Sequence, residues 1–593
     1  MAAARQKKQQ LPTWDLKDLY PGPNSAALKK DLAKAKKDSV AFHKKHFGKI
    51  GKLSGNALGA AVKSYEKIDE ILSRIMSYAQ LVHAADVADP EVGRFYQTTQ
   101  EAVTDIAAHL VFFTLEINQL SDAALKKKLK APALAFYASW IRDVRVFRPH
   151  QLDEETERLL HDKHVVGRAS WNRLFDETMA RMRIDMDGKQ RTTEEVLHSL
   201  SDTKGSLRKK AAKALGKTFG EHIQLFSLVT NTLAKDKEID DRWRNYARPQ
   251  SSRNLANHVE DEVVDALSAA VRKSYPDLSH RYYKLKARWF GKHKLDYWDR
   301  NAPLPDVGGK EIPWDTAKSL VLDAYGQFSP DLAKVGKQFF DKPWIDAAPR
   351  PGKAGGAFAH PTVPSAHPYL LVNYMGRPRD VMTLAHELGH GCHQVLAGPQ
   401  GHLKCDTPLT LAETASVFGE MLTFRSLLAD EKNPARRKAM LAGKVEDMLN
   451  TVVRQIAFYE FELRVHTERR RGELSADRIC DIWMDIQAES LGPAIRFHDE
   501  YKNFWTYIPH FIHSPFYVYA YAFGDCLVNS LYAVYENANE GFAERYLDML
   551  RAGGTMHHKE LLAPFGLNAS DPKFWSKGLG VVSGLIDELE SIG

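Results

Sequence analysis

Apolar positions in this chain recur mainly at helical spacing. Beyond Asn24 and Ser25, either of which can cap a helix, Leu28, Leu32, Ala35 and Phe42 form one stripe. Leu58, Val62, Tyr65, Leu72 and Ile75 form a second. Val92, Tyr96, Val103, Ile106, Leu110, Phe113 and Ile117 form a third, read as one continuous element. Stripes this long predict antiparallel helices that share a core. Ahead of them, Trp14-Asp15-Leu16 to Leu19-Tyr20-Pro21-Gly22-Pro23 reads as a docking segment closed by turn residues.

The period changes twice. Between Arg181 and Gln190, Met182, Ile184 and Met186 alternate with polar residues and run into Asp187-Gly188, a hairpin signal. Asp185 and Asp187 lack the remaining ligands of a calcium loop, so they read as a turn. Thr192-Thr193-Glu194-Glu195 resembles a capping box that opens the next helix. A boundary is placed here, between a helical N-terminal lobe (1–192) and the remainder (193–593). Residues 195–345 are again mostly helical, with breaks at Tyr246 to Pro249 and Asn301 to Pro305. From Lys353 the texture shifts again. Gly355 to Phe358 and Pro368 to Tyr374 predict two short strands around a Pro-rich turn. A strand exposed there can pair with an extended peptide through main-chain hydrogen bonds, or simply pack under the helix that follows.

Composition narrows the class. A chain of 593 residues exceeds one simple core and suggests two or more lobes. Hydrophobic content of 44% and charged content of 26% suit a globular protein. The net charge of +7 is small for this length. Much of it lies early, where Lys7, Lys8, Lys29, Lys30, Lys34, Lys36, Lys37, Lys44 and Lys45 alternate with apolar positions. That is a solvated helical face rather than a nucleic-acid surface. Four cysteines without a Cys-x-x-Cys pair fit a reducing compartment. The first ten residues lack an apolar leader and no apolar run reaches bilayer length. The expectation is a soluble cytoplasmic protein without nucleic-acid or membrane partners.

The chemistry concentrates in Asp380 to His393, centred on His386-Glu387-Leu388-Gly389-His390. One helical turn separates the two histidines, so both imidazoles leave one face and can converge on an ion. A catalytic zinc takes three protein ligands and keeps a fourth position open. Candidates for the third are His393, His402, Asp406, Glu413 and Glu420. His393 lies too far along the axis to join the first two easily and reads as a supporting or structural residue. His402 and Asp406 fall in a Gly- and Pro-rich loop. Glu413 is favoured, on a helix read from Leu409 to Leu428 behind a Thr407-Pro408 start, with Glu420 on the same face to orient an imidazole. The ion would lower the pKa of water towards about 7 and polarise a carbonyl, and Glu387 would take the water's proton.

An oxyanion needs further donors. Tyr507 to Tyr521 is rich in aromatic residues with polar tips. His510 and some of Tyr517, Tyr519 and Tyr521 could donate, and the rest would pack, because alternating positions on a helix cannot all face one site.

Several motifs together resemble the oligoendopeptidase F branch of the thimet oligopeptidase family of zinc peptidases. They are Gly376 to Val381 running into the histidine motif, Ala412-Glu413-Thr414-Ala415-Ser416, Ile508-Pro509-His510-Phe511, Phe516 to Tyr521, and the opening Trp14 to Pro21. The resemblance implies a mainly α, two-lobed helical ellipsoid with a deep central channel and a small sheet beside the site. It implies one zinc ion per chain on His386, His390 and Glu413, with Glu387 as general base and His510 as a donor beside the tyrosines. It also implies cleavage of internal bonds in short unstructured peptides. Two other readings stand beside it. A zinc exopeptidase would need a charged clamp for a peptide end, for which Arg464 and Arg469 are available. A peptide-binding protein with a structural metal would normally close its site with a fourth ligand and leave Glu387 idle. The oligomeric state is not set by the sequence, and a monomer is compatible with it.

Overall fold

A computed structural model of the chain describes residues 11–164, 166–304, 311–537 and 540–592. Lys7 and Lys8, the reading of the first ten residues, and Pro305 lie outside them. Helices dominate the described residues, which also carry three small sheets. No helix among them is long and apolar enough to cross a membrane.

Two compact units are each assembled from three stretches of chain. Unit 1 comprises Met1–Arg148, Gly309–Asp430 and Ala538–Phe565. Unit 2 comprises Pro149–Gly308, Glu431–Asn537 and Gly566–Gly593. Residues 192 and 193 both belong to unit 2.

In unit 1, helices Ala26–His46, Gly55–Ala85 and Pro90–Ala107 follow the expected stripes. Ser25 is the first cap, its hydroxyl accepting from the Leu28 amide. The third stripe is not continuous. Its helix stops at Ala107, residues 108–110 turn, and a new helix runs Val111–Gln119. The break lets Phe112 and Phe113 both reach Phe42, with centroids 5.9 and 5.1 Å away. Core packing thus overrides a sequence that has no breaker of its own.

The small sheet has three strands rather than two. Ile345–Asp346 runs parallel to the central Tyr369–Leu371, and Phe358–His360 pairs antiparallel to it along the edge. The N-terminal segment docks here. The Asp15 amide donates to the Pro343 carbonyl, the Tyr369 hydroxyl donates to the Asp15 carbonyl, and Trp14 meets the Tyr369 ring edge-on at 5.9 Å. Within the sheet, buried Asp346 is paired with Lys353 at 2.9 Å and Arg350 at 2.7 Å. Helices Trp314–Phe328, Pro378–Ala397, Thr414–Asp430 and Phe542–Arg551 complete the unit around a Phe328, Phe418 and Tyr546 ring cluster.

In unit 2 the hairpin forms from Ile184–Met186 and Lys189–Arg191, with Asp187 and Gly188 both at positive φ as a tight primed turn requires. The Thr192–Glu195 capping box follows it. Residues 195–345 are largely helical, but Leu295–Asp296 forms a short parallel pair with Ile495–Arg496 that helical periodicity hides. Long helices Val453–Arg469, Tyr519–Asn537 and Pro572–Ile592 carry the core, in which Trp483 and Trp575 are the largest fully buried side chains.

Candidate metal centre

Helix Pro378–Ala397 starts at a proline, with the Asp380 carboxylate taking the Arg377 amide. Its inner face buries Val381, Leu384, Ala385 and Leu388, which sets the rotation that presents His386 and His390 together. Their rings lie 5.0 Å apart at 80°. At Gly389 the helix touches the chain of Thr414–Asp430: an added Cβ would sit 2.4 Å from the Ala415 carbonyl oxygen. That contact brings Glu413 onto the histidines.

Glu413 Oε2 lies 3.3 Å from His386 Nε2 and 3.4 Å from His390 Nε2. Tetrahedral zinc with bonds of about 2.0–2.1 Å separates its ligand atoms by roughly 3.3–3.4 Å. All three ligand atoms lie within 4.8 Å of one another. Two imidazoles and a carboxylate are also a donor set of catalytic zinc, so the residues fit that ion.

The supporting contacts are specific. Glu420 Oε2 stands 3.1 Å from His386 Nδ1, the contact that fixes which nitrogen faces the ion. Ser416 Oγ donates to Glu413 Oε2 at 2.6 Å. Burial would raise the Glu413 carboxyl, but the hydrogen bond to His386 and the neighbouring His390 hold it low. Burial likewise works to lower His386, yet hydrogen bonds to Glu413 and Glu420 outweigh it and leave it raised. Glu387 is 7% exposed, and burial pushes its carboxyl up to about 7, against the pull of His386 and the Ala359 amide.

The structure separates the other candidates. His393 is buried, and desolvation lowers its imidazole to about 4. His402 pairs with Asp69 at 2.8 Å. The helix expected from Leu409 to Leu428 is interrupted at the proposed ligand. Leu409–Ala412 ends, Glu413 adopts φ −77° and ψ 0°, and Thr414–Asp430 begins anew, with Pro408 rather than Thr407 as the cap. Despite the interruption, Glu413 and Glu420 both reach the His386 ring, at 3.3 and 3.1 Å. No breaker residue marks it; Ser416 three residues on, able to hold the carboxylate, is the one local signal.

In unit 2, His510 Nε2 and the Tyr521 hydroxyl are 3.3 Å apart, and the Tyr517 ring stacks on His510 at 5.9 Å. Tyr519 does not belong with them. It is fully buried, and its hydroxyl accepts from Asn257 Nδ2 at 2.9 Å, so it serves the core. The segment is shaped by Phe516, which has φ +59°, and by Glu462 and Arg253, which hold the Phe516 amide and the Pro515 carbonyl. Neither partner was legible in sequence, since Glu462 lies 54 residues away. Arg464 faces Asp485 and Glu489, and Arg469 donates to the Asn231 carbonyl.

Residues 199–581 match the sequence model of Peptidase family M3, and residues 116–184 match that of Oligopeptidase F. The chain is similar to oligopeptidase PepF of Bacillus subtilis, 26% identical over 613 residues that cover all of this chain and 90% of that one. Among solved structures, a Chlamydophila abortus protein superposes with a TM-score of 0.86 at 22% identity, covering 98% of both chains. Oligoendopeptidase-F from Enterococcus faecium gives 0.72 at 23% identity, covering 95% of this chain and 98% of that one. At these identities the structural likeness speaks for the fold.

Proposed function

The chain belongs to Peptidase family M3, and from that premise we propose that it is a zinc-dependent oligoendopeptidase cutting internal bonds of short, unstructured peptides. The observation that carries the reading is the convergence of His386, His390 and Glu413 within 4.8 Å, with buried Glu387 beside them. A bound zinc ion would supply Lewis acidity for water and for the scissile carbonyl. His386, His390 and Glu413 would hold it, with Glu420 placed to fix the His386 tautomer.

Glu387 takes a proton from the attacking water and returns it to the leaving amine. Burial raises the Glu387 carboxyl above the ordinary carboxylate range, the direction that favours a group which must both take and return a proton. The edge strand Phe358–His360 offers an extended peptide main-chain partners, and the Ala359 amide adjoins Glu387, so a peptide paired there runs past the base. Within unit 2, His510 and Tyr521 form a polar pair able to donate hydrogen bonds to carbonyl oxygens. The cytoplasm is the proposed location, because all four cysteines are free.

The test is mass spectrometry of a peptide-library digest with wild type and Glu387→Gln at matched zinc occupancy. Internal cuts lost in the variant are expected. Cuts confined to one terminus would make it an exopeptidase, and no cuts by zinc-loaded wild type would refute the reading.

A further inference from the structure

Unit 2 contains a cavity of about 220 Å³ to which no step of the proposed reaction assigns a role. Arg300 and Arg454 line it, with Trp298, Trp483, Tyr501 and Tyr507 as walls. No carboxylate is among its described lining residues. Among the described residues, the hydrogen-bond partners of the two guanidiniums there are neutral. Arg300 Nε donates to Asn301 Oδ1 at 3.4 Å, and Arg454 Nη2 donates to the Tyr507 hydroxyl at 3.1 Å. Arg454 Nε is buried without a partner among the described residues. The carboxylate of nearby Glu446 is already taken by Lys286 and the Tyr282 hydroxyl.

Two cations in an aromatic enclosure are expensive unless an anion joins them. A guanidinium's planar fork matches a carboxylate, and aromatic walls match an apolar body. The volume is below the roughly 300–1,000 Å³ of drug-sized sites, which limits the guest to about the size of an amino acid. We propose that this cavity binds a small organic carboxylate with an apolar or aromatic body, its charge between Arg300 and Arg454. Either a peptide C-terminus or a free organic acid has that chemistry. The site is distinct in composition from the metal centre, since no metal-centre residue lines it.

Isothermal titration of the full chain with N-acetylphenylalanine, before and after removal of metal, tests the proposal. One molecule should bind per chain with the same affinity in both states, and N-acetylphenylalaninamide should bind at least about ten-fold more weakly. Arg454→Gln should weaken the acid by about ten-fold or more. Ser201→Trp, at the exposed rim, should block binding with both arginines kept, and so serves if Arg454→Gln misfolds. Tighter binding of N-acetylphenylalanine than of 3-phenylpropionate would identify a peptide terminus as the guest, and equal binding a free acid. Equal binding of acid and amide, loss of binding with the metal, or indifference to both variants would overturn the proposal.

Discussion

Glu462 couples the stability of the fold to pH. It is 2% exposed; one carboxyl oxygen accepts the Phe516 amide at 2.9 Å, and the other has no partner among the described residues. Burial pushes its pKa from 4.5 to about 8, against the pull of the Phe516 amide, Arg253 and Lys237. Between those values the folded chain holds a proton that the unfolded chain releases. Stability therefore falls as pH rises from 4.5 through 8, by up to about 1.4 kcal/mol per unit, and amounts to roughly 3 kcal/mol between pH 6 and 9. Glu462→Gln keeps an acceptor for Phe516 and removes the titration. The stability difference between variant and wild type should therefore shift towards the variant by about 3 kcal/mol over that range. Calorimetric melting at half-unit pH steps would show the two curves diverging by about 2–3 degrees. Hydrogen exchange at Phe516 should rise at alkaline pH, beyond its intrinsic pH dependence, in wild type alone. Parallel melting curves would refute the reasoning, because they would mean that Glu462 ionises without penalty where it lies.

Three further outcomes are expected. Gly389→Ala puts a methyl 2.4 Å from the Ala415 carbonyl, so it should cost about 1–3 kcal/mol in thermal unfolding and weaken zinc binding in chelator competition. Glu420→Gln should lower zinc affinity about 10–100-fold by the same competition while leaving the melting temperature nearly unchanged. Lys353→Met leaves buried Asp346 with Arg350 alone, and urea denaturation should register a loss of about 3–5 kcal/mol.

Local spacing made much of the fold and centre legible. The stripes of the first two helices, the Asp187-Gly188 turn and the Thr192 capping box each depend on residues a few positions apart, and periodicity reads such relations. His386 and His390 are legible for the same reason. What was hidden depends on distant partners. The break before Val111 answers to Phe42, the interruption at Glu413 to packing against Gly389, and the burial of Tyr519 to Asn257. The strand Ile345–Asp346 is two residues long and carries no alternation to detect. The three-stretch make-up of each unit also escapes a reading that moves once along the chain and draws one boundary.

The docking of Trp14 and Asp15 on the Tyr369 strand has a consequence for how the chain is made. The bond from the Tyr369 hydroxyl to the Asp15 carbonyl spans 354 positions. At about 5–20 residues per second, the opening segment leaves the ribosome tens of seconds before its partner strand exists. For that interval Trp14 is an apolar group awaiting a surface, open to a chaperone that shields nascent chains.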